Sequence, residues 1–191
     1  MKETTRQKLI DATFEEVFSH GYQGAALVDI LRNAGVHKGS MYHHFSSKKE
    51  MALAAIQEKI STRNFEKYSK ILQLSSGYLE TLLAAFKDTT QRDFKRGCPI
   101  ANIVQEMSNL DEDFNKTMKL IYEELRRYIK DILDKAIEVK EMRACDTKKL
   151  ALFITAALEG AILSVKASGN PQEYVDSVEI LEDYLRGFIR N

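Results

Sequence analysis

Residue types that mark particular classes of protein are scarce in this chain of 191 residues. It has two cysteines, Cys98 and Cys145, which stand far apart and in no CxxC pair. This excludes a disulfide-dense secreted domain and a zinc site built from cysteine pairs. Proline occurs only as Pro99 and Pro171, and few stretches alternate apolar and polar residues. Long patterns of 3.6-residue period dominate instead, and they predict an all-α fold.

A charge excess of either sign is also missing. The 28 Lys and Arg residues balance 28 Asp and Glu residues, so no global basic field indicates a nucleic-acid partner. The first residues are charged and lack the apolar core of a signal peptide. The longest apolar candidate, residues 150–165, is interrupted by Glu159 and is shorter than a membrane span. We therefore expect no membrane association and a cytoplasmic location.

Signatures of catalytic sites are missing as well. The chain contains no GxSxG, Walker or HExxH motif. No glutamate stands three residues before a histidine, as it does in di-iron helix bundles, and all four histidines lie within the first 44 residues. We expect no catalytic residue, no metal and no cofactor, while a helical enzyme and a helical interaction module stay open as alternatives.

Start and stop signals divide the chain into about nine helices. Thr4 with Gln7 and Ser47 with Glu50 are spaced as capping boxes. Proline at position 99 suits the first turn of a later helix. Residues 76–95 are predicted to form one helix, with Phe94 near the end of its apolar stripe.

Residues 27–45, LVDILRNAGVHKGSMYHHF, contain two short helices separated by a tight turn. Gly35 permits a positive φ at the corner between them. Met41 and Phe45 are four residues apart and are expected to pack inward from the second helix. This pattern is typical of a helix-turn-helix, whose second helix enters the major groove of DNA.

The remaining side chains of the second helix are polar and are expected to face outward. The segment 32–49 has four basic residues, no acidic residue, and three of the four histidines. A local excess of positive charge suits a surface that contacts phosphate. Lys48 begins a further helix, where free N–H groups also attract phosphate. The predicted DNA-binding residues are His37, Lys38, Gly39, Ser40, Tyr42, His43, His44 and Lys48.

Residues 4–56 resemble the DNA-binding domain of the TetR family of transcription repressors. The run VHKGSMYHHFSSKKEM is a specific match, and it is joined by Gly21-Tyr22, Val28-Asp29-Ile30 and Ala34-Gly35-Val36. The resemblance implies a helix-turn-helix DNA-binding domain at residues 1–47 and a helical ligand-binding and dimerisation domain at residues 48–191. It also implies a homodimer formed by the last two helices, about 146–168 and 171–190, which binds a palindromic DNA operator and an unknown small-molecule inducer.

The sequence departs from the family pattern just before the second helix. The family usually has threonine or serine there, whereas this chain has Ala25-Ala26. The missing capping hydroxyl should cost about 1 kcal/mol and remove one phosphate contact. His37 also stands where serine or threonine is common in the family.

The apolar helices from about residue 76 to 165 are expected to enclose an inducer pocket. Its candidate residues are Phe86, Ile103, Met107, Tyr122, Arg126 and Thr155, although residues at this spacing also serve as ordinary core. Glu159 lies within an apolar run, so it needs a partner such as Arg126, Arg127, a second subunit or a cationic ligand.

Cys98 is a more specific candidate for contact with an inducer. It follows Arg96 by two residues and precedes a predicted helix, and both features favour a reactive thiolate. Its surroundings resemble the Gly-Cys stretch of TetR-type sensors of electrophiles and oxidants. The alternative is a small residue at a tight helix start that does not react.

Overall fold

The computed structural model describes residues 4–189, and in this range the chain forms nine α-helices and no strand. The all-α prediction is therefore confirmed. The helices are α1 (Thr5–Gly24), α2 (Leu27–Ala34), α3 (Lys38–Tyr42), α4 (Lys48–Leu72), α5 (Tyr78–Lys87), α6 (Pro99–Met107), α7 (Glu112–Glu138), α8 (Thr147–Ser168) and α9 (Gln172–Arg186). Residue 190 of the predicted dimer segment lies outside the described range.

The helices group into two compact units. Unit 1 consists of Met1–Thr62 and Pro99–Ile121, and unit 2 consists of Arg63–Cys98 and Tyr122–Asn191. Unit 1 is thus larger than the predicted DNA-binding domain, because α6 and the start of α7 pack with the N-terminal helices. The predicted boundary between residues 47 and 48 separates a DNA-binding domain from a ligand-binding and dimerisation domain. The two compact units do not test this division by function, so it stays a prediction.

The core of unit 1 is formed by the apolar faces of its helices. Leu9, Ile10, Ile30, Met41 and Met51 are fully buried. The capping box predicted at the start of α1 is present in part: the Gln7 N–H donates to Thr4 Oγ1 at 3.2 Å, but the Gln7 side chain donates to Asp11 Oδ1 at 2.9 Å. The capping box before α4 is present in part. Ser47 accepts from the Glu50 N–H at 3.1 Å, but the Glu50 carboxylate accepts from the N–H of Ser46 at 2.7 Å.

The core of unit 2 is centred on Tyr174, which is fully buried and donates its hydroxyl to the Phe86 carbonyl at 2.8 Å. The predicted helix 76–95 is wrong at its end, because α5 stops at Lys87. Asp88 accepts hydrogen bonds from the N–H and hydroxyl of Thr90, and this local turn ends the helix. Phe94 reaches the core from a loop, with its ring 5.2 Å from that of Tyr174.

Helix α8 has nearly the bounds that the sequence analysis expected, about 146–168. The apolar run 150–165 was expected to be too short for a membrane span, but the whole helix of 22 residues is long and apolar enough to cross a membrane by length and composition. A core helix passes the same test, and α8 buries Leu150, Ile154 and Val165 in unit 2. The opposite side of α8 exposes Leu152, Phe153 and Leu163. Packing within unit 2 does not account for these apolar side chains.

Candidate DNA interface and effector site

The turn between α2 and α3 has the geometry that the sequence predicts. Gly35 adopts φ 62°, and the N–H of Val36 donates back to the Leu31 carbonyl at 3.0 Å. Met41 is fully buried, and Phe45 is 4% exposed. These two anchors fix which side of α3 faces the protein.

The other side of α3 and its flanking residues form an exposed polar surface, which we call the α3 surface. Its residues are His37, Lys38, Gly39, Ser40, Tyr42, His43 and His44, and all are exposed. The Lys38 ammonium lies 6.0 Å from the centre of the Tyr42 ring. No heavy atom lies within 4 Å of where a Cβ on Gly39 would stand, so backbone is accessible there. Seven of the eight predicted DNA-binding residues are thus placed together.

The start of α2 lacks a side-chain cap, as expected from the alanine pair. Ala26 is the N-cap residue, and it makes no side-chain hydrogen bond to the first turn. The N–H groups at this end are therefore not satisfied by a capping hydroxyl.

Lys48, the eighth predicted residue, has a structural role that the sequence did not indicate. Its ammonium donates to the carbonyls of Tyr22 at 2.7 Å and Ala25 at 2.6 Å, and it lies 4.5 Å from the centre of the Tyr22 ring. Burial lowers the pKa of Lys48, while the charge of Glu106 acts in the opposite sense. An ammonium has three N–H donors, so one remains for a phosphate. The phosphate contact stays a prediction.

Glu106 of α6 is a second structural residue that the sequence analysis missed. Its carboxylate accepts from the N–H groups of Tyr22 at 2.9 Å and Gln23 at 2.8 Å. These groups become free because Gly21 leaves the helical conformation, at φ 74° and ψ 169°. Glycine suits this positive φ, and a Cβ on Gly21 would lie 2.6 Å from Glu106 Oε2, so a larger residue would also displace the carboxylate that accepts these hydrogen bonds.

The structure divides the predicted inducer contacts between the two units. Ile103 and Met107 are buried in unit 1, whereas Cys98, Phe86, Tyr122, Arg126, Thr155 and Glu159 belong to unit 2. Phe86 is fully buried in the core, and the Thr155 hydroxyl donates to the Ala151 carbonyl one turn earlier. Of the six, Cys98, Tyr122 and Glu159 form a cluster of polar side chains that could take part in proton transfer.

The Cys98 thiol donates a hydrogen bond to Glu159 Oε1 at 3.1 Å. Burial raises the pKa of Glu159, and its Oε2 is buried with no hydrogen-bond partner. Burial also raises the pKa of Tyr122, and the neighbouring charge of Glu159 adds to this effect. The carboxylate thus faces a thiol and a phenol in a partly dehydrated site.

Neither arginine that the sequence analysis offered as a partner for Glu159 binds its carboxylate, which accepts a hydrogen bond from Cys98. The guanidinium of Arg126 lies 5.2 Å from the Tyr122 ring centre, and that of Arg127 lies 5.7 Å from the Tyr128 ring centre. Arg96 Nε is 2.6 Å from Asp93 Oδ2. The pairing of Glu159 with Arg126 or Arg127 was therefore wrong. Among the described residues, no group of three or more His, Cys, Asp or Glu side chains is arranged to hold a metal ion.

The fold and the α3 surface define a transcriptional regulator of the helix-turn-helix type. Residues 9–55 match the family described as bacterial regulatory proteins of the tetR family, and residues 77–181 match the tetracyclin repressor-like C-terminal domain. An HTH-type transcriptional regulator in the lacX 3' region of Lactococcus lactis is 31% identical over 168 residues, which are 86% of this chain and 84% of that protein. The chain belongs to the TetR family of transcriptional regulators.

Further relatives support the same assignment. The transcriptional regulator AcuR of Cereibacter sphaeroides is 30% identical over 177 residues, covering 86% of this chain and 78% of AcuR. The crystal structure of the reduced form of NemR from Escherichia coli matches the fold with a TM-score of 0.85 at 23% identity, over 98% of each chain. Members of the family are regulators rather than enzymes, and they typically act in the cytoplasm as dimers that bind DNA operators and small molecules.

Proposed function

We propose that the protein is a repressor that binds a palindromic operator as a homodimer and leaves it when an inducer acts on unit 2. The exposed α3 surface, held by buried Met41 and Phe45, is the observation that carries this proposal. Two relatives are named as repressors: DhaR of a Mycobacterium, 29% identical over 166 residues, and NemR of Escherichia coli, 28% identical over 119 residues.

On DNA, α3 of each subunit enters a major groove. Lys38 and Ser40 near its start contact base edges or phosphates, while Tyr42, His43 and His44 donate to phosphate oxygens. Gly39 lets the backbone approach closely, and the remaining N–H of Lys48 reaches a phosphate. Affinity that depends on phosphate contacts falls steeply with salt, and the slope counts those contacts.

The homodimer is formed by α8 and α9. Large apolar side chains are exposed on both helices: Leu152, Phe153 and Leu163 on α8, and Val175, Ile180 and Tyr184 on α9. The rings of Phe153 and Tyr184 lie 5.2 Å apart, which joins the two helices into one apolar face. Gly160 is also exposed, with open space beside it, and this permits a close helix approach. An apolar patch of this kind marks an interface.

The inducer is proposed to be an electrophile that reacts with Cys98. The S–H bond breaks as the sulfur attacks the β-carbon of an α,β-unsaturated carbonyl compound, a carbon–sulfur bond forms, and the C=C π bond opens to give an enolate. Ionised Glu159, 3.1 Å from the thiol, accepts the proton and returns it to the α-carbon, so the step is an addition without an oxidant. A non-covalent inducer bound beside an unreactive Cys98 is the second candidate, because Glu159 Oε2 has a free hydrogen-bonding position.

Two experiments test these steps separately. A gel-shift with the upstream intergenic DNA should show a specific complex, and its absence would favour a helical interaction module. Alkylation by N-ethylmaleimide, followed by peptide mass spectrometry, should modify Cys98 faster than Cys145, whose pKa is raised by burial. Equal, slow rates would favour the non-covalent inducer. Glu159→Gln should slow the reaction of Cys98 and leave that of Cys145 unchanged.

A further inference from the structure

Three cationic side chains of unit 2 lie together without a carboxylate partner. Arg63 and Lys67 are four residues apart on one face of α4. Arg63 donates to the Gln91 carbonyl at 3.1 Å, which brings it beside the neighbouring residue Arg92. None of the three cations forms an ion pair with a carboxylate of residues 4–189. Their charge is therefore available to a ligand.

Arg92 and Lys67 are both partly removed from water. The Arg92 guanidinium lies 4.5 Å from the ring centre of buried Tyr174, and its Nε–H is buried with no acceptor. The Lys67 ammonium donates once, to the Ala85 carbonyl at 2.8 Å. A buried N–H without an acceptor is costly, so an acceptor atom placed beside Arg92 Nε–H would be favoured.

The charges that surround this site indicate how much negative charge is missing. Two carboxylates lie near these cations: the charge of Asp88 acts on Lys67, and the charge of Arg92 acts on Glu159. The Asp88 oxygen already accepts from the N–H and hydroxyl of Thr90. Burial, with the charges of Arg92 and Arg63, lowers the pKa of Lys67 to about 8. Ionised Asp88 and Glu159 offset two of the three cations Arg63, Lys67 and Arg92, and one positive charge remains. A monoanion would neutralise it.

We propose that Lys67, Arg92 and Arg63 form a binding site for a small organic carboxylate. The carboxylate accepts from Arg92 Nε–H and from the free donors of Lys67, as charge-assisted hydrogen bonds. The rings of Tyr68 and Tyr174 lie beside the Lys67 ammonium and the Arg92 guanidinium. Half-buried Phe94, whose ring is 5.2 Å from that of Tyr174, offers apolar surface to the organic part. This site rests on the proposed function in one respect only: the bound carboxylate acts as an effector if its binding changes the affinity of the protein for DNA.

Acetate is a sufficient probe, since every organic carboxylate presents the same two oxygens. We would titrate acetate against chloride, at constant ionic strength, into the full-length ¹⁵N-labelled protein and follow the arginine Nε–H resonances. The Arg92 resonance, assigned with Arg92→Gln, should move downfield and saturate. Arg126 Nε–H is an internal control, because it is also buried and without a partner but lies beside Tyr122. The proposal would be overturned if the shift of the Arg92 resonance did not saturate with acetate, or if the Arg126 resonance shifted by the same amount.

Variants and a neutral probe make the test specific. Acetamide should not shift Arg92, since it lacks the charge. Arg92→Gln should weaken acetate binding about tenfold or more, the effect of losing a charged hydrogen bond, whereas Arg126→Gln should change it less than twofold. Lys67→Met should weaken binding as well, which gives a second variant if Arg92→Gln does not fold. Tighter binding of inorganic phosphate than of acetate would overturn the assignment to carboxylates.

Proton uptake provides an independent measurement. A bound anion stabilises charged Lys67, so acetate binding at about pH 8.5, above the pKa of Lys67, should take up protons. Calorimetry in two buffers of different ionisation enthalpy measures this uptake, and its absence would contradict the role of Lys67. If acetate binds but DNA affinity is unchanged, the site stands and its effector role is wrong. If the protein binds no DNA, the proposed function is wrong and the acetate result is unaffected.

Discussion

Glu106 is predicted to stabilise the junction between α1 and α2 in unit 1. Its carboxylate accepts from the partly buried Tyr22 N–H at 2.9 Å and the exposed Gln23 N–H at 2.8 Å. A hydrogen bond to a charged group contributes about 1.5–3 kcal/mol, and the exposed one contributes less because water replaces it. Glu106→Ala should therefore lower the free energy of unfolding by about 2–3 kcal/mol.

Urea unfolding followed by circular dichroism, at fixed protein concentration, measures this loss. In thermal unfolding it corresponds to a decrease in Tm of roughly 4–12 °C for a chain of this size. Glu112→Ala is the matched control, because that side chain is 91% exposed and lies 3.7 Å from Lys116, so its loss should stay within about 0.5 kcal/mol. Glu106→Gln, which keeps one acceptor, should be intermediate. Equal stability of the two alanine variants would refute the reasoning.

Three further predictions follow from other contacts. Lys48→Met leaves the Tyr22 and Ala25 carbonyls without their donor, so it should lower stability and reduce the salt slope of DNA binding by about one; an unchanged slope would argue against a phosphate contact. Ile180→Glu should convert the dimer to a monomer in sedimentation, whereas Val28→Glu should not, although the two wild-type side chains are equally exposed, at 70% for Ile180 and 69% for Val28. If both variants sedimented as dimers, the proposed interface would be contradicted. Hydrogen bonds from Lys87 and Arg186 lower the pKa of Glu182. Its stabilisation is therefore present above the ordinary glutamate value and lost as the pH falls below it, so the stability deficit of Glu182→Gln at neutral pH should shrink in acid; a constant deficit would exclude this linkage.

The helix-turn-helix could be predicted because its signals are local. Gly35 has no Cβ to oppose a positive φ, and the i,i+4 spacing of Met41 and Phe45 fixes the inner face of α3. The caps at Thr4 and Ser47 likewise depend on residues only three positions apart. Where hydrogen bonding within one turn decides the structure, the residue types in the sequence are sufficient evidence.

Contacts between distant residues could not be predicted in this way. Glu106 is 84 positions from Tyr22, and Cys98 is 61 positions from Glu159, so no periodicity connects them. Burial of Glu159 indicated that it needs a partner but not which one, and the nearby arginines were the wrong choice. The end of α5, in contrast, had a local signal, because Asp88 and Thr90 favour a turn. The prediction gave more weight to the apolar stripe that continues toward Phe94, and it therefore extended the helix too far.

The central claim is that two copies of α3 enter successive major grooves of one duplex. Selection of genomic DNA fragments by the purified protein, followed by sequencing, tests it most directly. We predict an inverted repeat whose half-site centres lie about 34–36 Å apart, or a multiple of this distance, and we predict that Tyr42→Ala loses the enrichment. Enriched fragments without inverted symmetry, or equal enrichment by Tyr42→Ala, would contradict the account.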